Sequence, residues 1–491
     1  MKRLMLIKKW VLQNKLPVFI ILCMIFLRMW RLGDFAMFLA DQGRDAVIIR
    51  RIATLEHFPL IGPPSSIGQV YLGPFFYYLM SPFLYLSAFN PVGLAFGVSL
   101  LSILGLIAGY FIIKSIVKEK VALIFLILST FSYGLISSAR FSWNPNLLPV
   151  FAFFTLFFLY KSLQTKKWLF SILYGMFFAF SFQLHHLAAF LAVPIAAGYL
   201  YQLWCDKKKG ELFIAILIAM GGFLIVSSPL IIFDLKHGFL NTKNLYSLFT
   251  QQNVVAGGSP LTRLLETNHA FWQIIFQIRY PELISSLLSI VLIIITVVLL
   301  KRNKFRLFLF IHFVNLFSFI YFFSLLSSPR HPHYYGTIYL SLFIVLAYIA
   351  VIVSKKKYII PASLGLLGIY LFFNAKQYYF ITGSSSNQIQ HAENVALSMV
   401  PHIDHKPFNI STYPIEFTSE ETFTYFLEVK GLPVANREAK EVTDQMYVLC
   451  DREPCKILNS QSWNIDMFGK AKIDTMWERE GVKIYRLVHA Q

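Results

Sequence analysis

Carboxylates are scarce in the first 375 residues, where only ten Asp or Glu occur, and four of them (Asp34, Asp41, Asp45 and Glu56) fall in one stretch after the first apolar run. Asp41 and Asp45 stand one helical turn apart in Leu39-Ala40-Asp41-Gln42-Gly43-Arg44-Asp45-Ala46-Val47-Ile48-Ile49-Arg50-Arg51-Ile52-Ala53. Ala46, Ile49 and Ala53 recur at helical spacing, which predicts a helix lying on a membrane with Asp41 at or before its N-terminus. One reading makes Asp41 an N-cap and pairs Asp45 with Arg44 or Arg51. Another gives the two acids a hard-oxygen site for Mg²⁺ or Mn²⁺.

Other polar groups mark the ends of apolar runs: Arg140 in Arg140-Phe141-Ser142-Trp143-Asn144-Pro145-Asn146, the pair His185-His186, and Arg330-His331-Pro332-His333-Tyr334-Tyr335. Arginines at such edges also reach to lipid headgroups. Adjacent histidines point to different helix faces, so His185 and His186 serve an interface as readily as a sugar or phosphate. His331 and His333 have no further Cys or His in their loop to complete a zinc site.

The elements that must carry these residues follow from composition. Of 491 residues 56% are hydrophobic, 17% aromatic and 14% charged, against roughly 25% charged in a soluble domain. A single water-soluble globule is excluded. Eleven apolar runs can be traced: Pro17 to Trp30, Val92 to Ile113, Val121 to Ile136, Leu147 to Tyr160, Trp168 to Gln183, Leu187 to Trp204, Leu212 to Phe233, Leu283 to Leu300, Leu307 to Leu326, Tyr335 to Val353 and Tyr358 to Phe373. A bilayer-crossing helix needs about 20 residues, so a polytopic α-helical membrane protein of about 11 transmembrane helices is expected.

The net charge of +19 is uneven: residues 1–375 hold 32 Lys or Arg, and residues 376–491 hold 12 against 15 acids. Nucleic-acid binding explains this poorly, and positive-inside topology explains it well. The head bearing Lys2, Arg3, Lys8, Lys9 and Lys15 lacks a small-residue cleavage site after its apolar run, where Arg28 and Arg31 follow instead, so it reads as a retained first helix with a cytoplasmic N-terminus. Counting from there puts Lys114/Lys118/Lys120, Lys161/Lys166/Lys167, Lys207 to Lys209, Lys301/Arg302/Lys304/Arg306 and Lys355 to Lys357 inside the cell. The loops 34–90 and 234–282 and the tail then face outward in a plasma membrane. Gly73 to Phe89 is short and proline-interrupted, and reads as an interfacial or re-entrant helix.

Two units are expected: 1–375 in the membrane with its two long outer loops, and 376–491 as a small extracytoplasmic α/β domain. The tail predicts a helix around Ala392 to Met399, a strand near Phe408 to Ser411, a helix from Glu420 to Lys430 ended by Gly431, a strand at Met446 to Cys450 and a hairpin turning at Glu480-Gly481. Cys450 and Cys455 lie where a disulfide is chemically permitted, with two free thiols as the alternative. In the second loop, Asn253, Gly257-Gly258 and a helix from Leu261 to Phe276 carrying Glu266 read as a lid or as a plain structural loop.

Asp41-Gln42-Gly43-Arg44-Asp45, followed by Gly73-Pro74-Phe75-Phe76-Tyr77-Tyr78, resembles the first-loop acidic motif and proline-tyrosine segment of the GT-C glycosyltransferases, especially protein O-mannosyltransferases and aminoarabinose transferases. The segments beginning at Arg140 and Arg330 are similar to further family positions. The pattern departs where many members carry Asp-Glu, because Gln42 replaces the second acid.

The resemblance implies a GT-C-like fold and transfer of a sugar from a polyprenyl-phosphate donor to a lipid, glycan or protein acceptor outside the cell. Asp41 would be the general base of an inverting displacement, with Asp45 supporting it. Arg44, Arg140, Arg330, His331 and His333 are the candidates to stabilise the leaving phosphate. Tyr77, Tyr78, His185, His186 and Glu266 are substrate-binding candidates, with packing the alternative for the tyrosines. A transporter or flippase of lipid-linked saccharides is the rival reading, although the span interiors hold few of the ionisable residues transport calls for. A membrane-anchored binding protein working through its tail is another.

Overall fold

The structure is a computed structural model that describes residues 13–65, 69–205, 209–250, 259–301, 305–414, 419–435, 440–458, 460 and 462–490. Lys2, Arg3, Lys8, Lys9, Lys207, Lys208, Asn253, Gly257, Gly258, Arg302 and Lys304 lie outside the described residues.

Apolar composition dictates the membrane part, because a backbone out of reach of water must satisfy its own hydrogen bonds. The helices are α1 (Lys15–Met29), α2 (Ala40–Ala53), α3 (Phe75–Leu86), α4 (Val92–Ile116), α5 (Glu119–Phe131), α6 (Tyr133–Ala139), α7 (Leu148–Thr165), α8 (Trp168–Leu184), α9 (Ala192–Cys205), α10 (Lys209–Lys236), α11 (Leu240–Thr250), α12 (Pro260–Phe276), α13 (Glu282–Lys301), α14 (Arg306–Ser324), α15 (Tyr339–Val353) and α16 (Ile360–Ala375). Each of the eleven apolar runs lies on one or two of them. Among the described residues seven helices are long and apolar enough to cross a membrane, and an eighth span results if α5 and α6 are one bent crossing. The chain is a multi-pass membrane protein.

The run from Val121 to Ile136 was expected to be one helix, but it bends by 60° at Ser132. The break has a cause: Ser132 caps α6 through Leu135 N–H at 3.4 Å, and Asn374 Oδ1 takes Tyr133 N–H at 2.7 Å. Glycines let α8 and α10 touch closely, since a Cβ at Gly175 would lie 2.0 Å from the Ala219 carbonyl oxygen and one at Gly222 2.5 Å from that of Ile172. By contrast α10, α13 and α16 leave Ile225, Leu283 and Leu364 more than half exposed, the pattern of helices that face lipid.

The C-terminal part holds α17 (Gln388–Met399), β1 (Asn409–Tyr413), α18 (Glu421–Val429), β2 (Gln445–Cys450), β3 (Ala471–Arg479) and β4 (Val482–His489). The sheet order is β1-β2-β4-β3, with β1 and β2 parallel and the other pairs antiparallel. Glu480 and Gly481 both adopt positive φ between β3 and β4, the geometry of a tight two-residue hairpin turn. Cys450 and Cys455 are disulfide-bonded.

One apolar core runs through α2, α3, α4 and the C-terminal sheet, joining Ala46, Ile49, Phe76 and Tyr77 to Phe423, Phe426 and Tyr447. Helix α2 therefore lies sandwiched between membrane and C-terminal parts. Gly43 makes this approach feasible, because a Cβ there would stand 2.6 Å from the backbone N and Cα of Thr422. Glu428 on α18 then takes Arg51 at 2.7 Å and Arg50 at 3.5 Å.

Candidate active site

The N-terminus of α2 begins the site. Asp41 is not the N-cap that one reading expected: Leu39 holds that position, and the Gln42 side chain reaches back to accept Leu39 N–H at 3.1 Å. Asp41 instead sits in the first turn, where the helix dipole favours an anion. Its Oδ1 accepts Arg44 Nη1 at 2.9 Å, and 47% of its side chain stays exposed.

Asp45 is the opposite case, with 1% of its side chain exposed. Its Oδ1 receives Arg44 Nη2 at 2.7 Å, Arg44 Nε at 3.0 Å and the Tyr77 hydroxyl at 3.0 Å. Burial pushes the Asp45 carboxyl upward while Arg44 opposes that shift. Arg44, although burial works against its charge, is held protonated by Asp45, Tyr77 and Asp41. Tyr77 is pushed well above its ordinary value by burial and by Asp45. The four side chains form one row, Asp41–Arg44–Asp45–Tyr77, most open at its Asp41 end.

This row does not fit a divalent cation as it stands. The Arg44 guanidinium already occupies the place between the two carboxylates, and among the described residues no three His, Cys, Asp or Glu side chains converge as metal ligands.

Helix α3 carries the row toward a second group. Phe75 N–H donates to Gln183 Oε1 at 3.2 Å, and Gln183 Nε2 donates to the Val226 carbonyl at 2.9 Å, so α3, α8 and α10 meet at one amide. Two residues beyond Gln183, His185 meets His333 with ring centroids 5.9 Å apart and Tyr334 at 5.2 Å. His331 stacks on His333 at 5.7 Å, and Trp143 stands edge-on to His333 at 4.6 Å. Three histidines from two distant segments thus share one aromatic cluster. Burial holds His185 down to about 3, with His186 and His333 adding repulsion, and burial then His331 hold His333 down to about 4. Both are neutral imidazoles that can donate or accept hydrogen bonds.

The other candidates are placed as follows. Arg330 Nε donates to Thr267 Oγ1 at 2.9 Å and Nη2 to the Leu326 carbonyl at 3.1 Å, with its guanidinium 4.4 Å from the centre of the Phe323 ring. Glu266 on α12 lies near enough to act on its charge. His186 turns to the backbone of Tyr71, and the Tyr78 hydroxyl donates to the Pro59 carbonyl at 2.9 Å. Arg140 is not gathered with the rest. It is 1% exposed, gives Nη1 to the Leu27 carbonyl at 3.1 Å and Nη2 to that of Trp30 at 2.8 Å, and lies 3.9 Å from the centre of the Phe380 ring. Its guanidinium closes the C-terminal end of α1, so it neither reaches for headgroups nor lines the cluster.

Sequence reasoning did not find Gln183 or the contact of Gly43 with Thr422. A polar amide near the end of an otherwise apolar span was the available signal for the first; no local signal marks the second.

Similarity to known proteins decides the fold. Residues 72–233 match the family described as dolichyl-phosphate-mannose-protein mannosyltransferase. Two solved structures of ArnT from Cupriavidus metallidurans resemble the whole chain. The one bound to undecaprenyl phosphate has a TM-score of 0.60 at 10% identity, covering 97% of this chain and 98% of that one. The apo form has a TM-score of 0.61 at 12% identity, covering 98% of each. This is the fold of the GT-C glycosyltransferases. The recognition drawn from the sequence motifs is borne out at that level; Asp41, Arg44 and Asp45 on α2 lie outside the stretch matched by the family, and Tyr77 on α3 lies within it. No curated protein sequence matches this chain significantly.

Proposed function

We propose that the chain is a membrane glycosyltransferase that takes a sugar from a polyprenyl-phosphate carrier and gives it to an acceptor hydroxyl outside the cell, with inversion. The observation that carries the reading is the contrast within the row: Asp41 is open to an incoming group, whereas Asp45 is sealed against Arg44 and Tyr77. Similarity to a family of lipid-phosphate sugar transferases, and to a structure that binds undecaprenyl phosphate, supports the donor class. The outer face, the cytoplasmic N-terminus and a C-terminal unit of residues 376–491 covering the acceptor side belong to the same proposal.

In the reaction the acceptor O–H gives its proton to the Asp41 carboxylate while its oxygen attacks the anomeric carbon. The bond from that carbon to the phosphate oxygen breaks, and its electron pair leaves on the polyprenyl phosphate. Arg44 orients Asp41, and Asp45 with Tyr77 keeps Arg44 in place. His185, His331, His333 and Arg330 are the donors assigned to the leaving phosphate, where negative charge grows. No step is routed through a metal.

The test is turnover of radiolabelled polyprenyl-phosphate monosaccharides by the purified chain. Wild type releases the sugar to acceptor or water, and Asp41→Asn loses about two orders of magnitude or more. Equal turnover by both proteins would remove Asp41 from the chemistry, and no turnover of any donor would favour transport or binding.

A further inference from the structure

Beside the row, α2 and the C-terminal part enclose a cavity of about 160 Å³. Its α2 wall is Arg44, Val47, Ile48 and Arg51, whose spacing places them on one helix face. The opposite wall includes Glu421, Thr424 and Glu428, again at helical spacing, on α18. A third side comes from Trp463, Asn464 and Met467, with Trp463 54% exposed and Met467 40%. Arg44 belongs to both places, since the residue that lines this cavity is the one paired to Asp41.

The lining tells which chemistry it suits. Glu420 and Glu441 add to Glu421 and Glu428, so an anion entering would meet four carboxylates. Of the three cations present, Arg44 is committed to Asp41 and Asp45, Arg51 to Glu428, and the Lys440 ammonium stands 5.9 Å from the centre of the Trp463 ring. A phosphate or an acidic headgroup is therefore poorly served. Carboxylate and amide oxygens around an exposed indole instead suit a group that presents many hydroxyl donors on one side and C–H bonds on the other. That group is a sugar ring.

The geometry points to this cavity as the acceptor site, taking the end of an uncharged glycan and presenting its hydroxyl toward Asp41. The assignment rests on the glycosyl-transfer reading above and adds the acceptor's class to it. Trp463 supplies the stacking face, and the Glu421 carboxylate of α18 receives the hydroxyls.

The test uses the full chain in nanodiscs free of glycoside detergent. Isothermal titration follows uncharged hexose and N-acetylhexosamine oligosaccharides, inorganic phosphate and a Ser/Thr-rich peptide, while hydrolysis of a polyprenyl-phosphate sugar by water is measured in parallel. The expected result is that an oligosaccharide binds, that Trp463→Ala weakens it about tenfold or more, and that Trp463→Phe retains most of the affinity. A thermal-unfolding midpoint equal to that of wild type in both variants shows that each is folded. Binding only of phosphate or peptide, no binding of any saccharide while the donor is hydrolysed, or equal binding by Trp463→Ala would overturn the site. Saccharide binding without turnover of any donor would leave a glycan cavity but remove its role as acceptor site, and with it the transferase reading.

Discussion

Two groups centred on arginine lie at helix ends in this protein, and they have different work. At the start of α2, Arg44 is shared between two carboxylates, one exposed and one sealed. At the end of α1, Arg28 and Arg140 are spent on backbone carbonyls: Arg28 on Ser129 and Thr130, Arg140 on Leu27 and Trp30. Residue type alone does not separate them. What separates them is the partner, because a guanidinium facing carbonyls repairs a helix end, whereas one facing carboxylates holds and orients an acid.

The first way to sharpen this contrast is to remove Arg140. Arg140→Ala leaves the carbonyls of Leu27 and Trp30 without their buried donor and should cost about 3 kcal/mol of stability, read as a lowered midpoint of thermal unfolding in detergent. An unchanged midpoint would show that water replaces the guanidinium and that the α1 end is not closed by it. Next in size is Tyr77→Phe, which deletes one hydrogen bond to a buried carboxylate, worth about 2 kcal/mol. Turnover should fall with donor KM unchanged, because the loss acts through Arg44 on Asp41; a rise in KM alone would place Tyr77 on the donor instead.

The histidine cluster predicts a pH dependence with a definite sign. His185 and His333 are depressed to about 3 and 4 in the folded protein, against about 6.5 unfolded. Between those values the unfolded chain binds more protons, so stability is full above about pH 6.5 and declines as pH falls toward 4. A thermal midpoint that stays flat or rises on acidification to pH 4 would contradict imidazoles held neutral in the fold. The smallest effect is expected for Glu428→Gln, which weakens the partly exposed pairs to Arg50 and Arg51 by about 1 kcal/mol or less. Proteolysis of the C-terminal part should be slightly faster, and the transfer rate should not change by orders of magnitude.

Much of this arrangement could be read from the sequence where the cause is local. Apolar length alone places the helices, and Glu480-Gly481 marks its hairpin because both residues tolerate positive φ. The pairing of Asp45 with Arg44 was one of two local options, and the other arginine, Arg51, is taken by Glu428. The site is less legible because its contacts join distant segments. Nothing near Arg140 signals that its partners are carbonyls at the end of α1, and nothing near His185 signals His333. Gly43 looks like a weak point in a helix until Thr422 is seen against it. Gln42 was read only as a missing acid, yet its amide caps Leu39.

The most direct test of the account compares Asp41→Asn with Arg140→Ala in one preparation, measuring turnover of the same polyprenyl-phosphate sugar per folded molecule together with the thermal midpoint. The account predicts that Asp41→Asn keeps its midpoint and loses about a hundredfold or more in turnover, while Arg140→Ala loses stability and keeps the turnover of whatever remains folded. If Asp41→Asn turns over donor like wild type, or if Arg140→Ala is as stable as wild type but inactive, the roles given to the two groups are wrong.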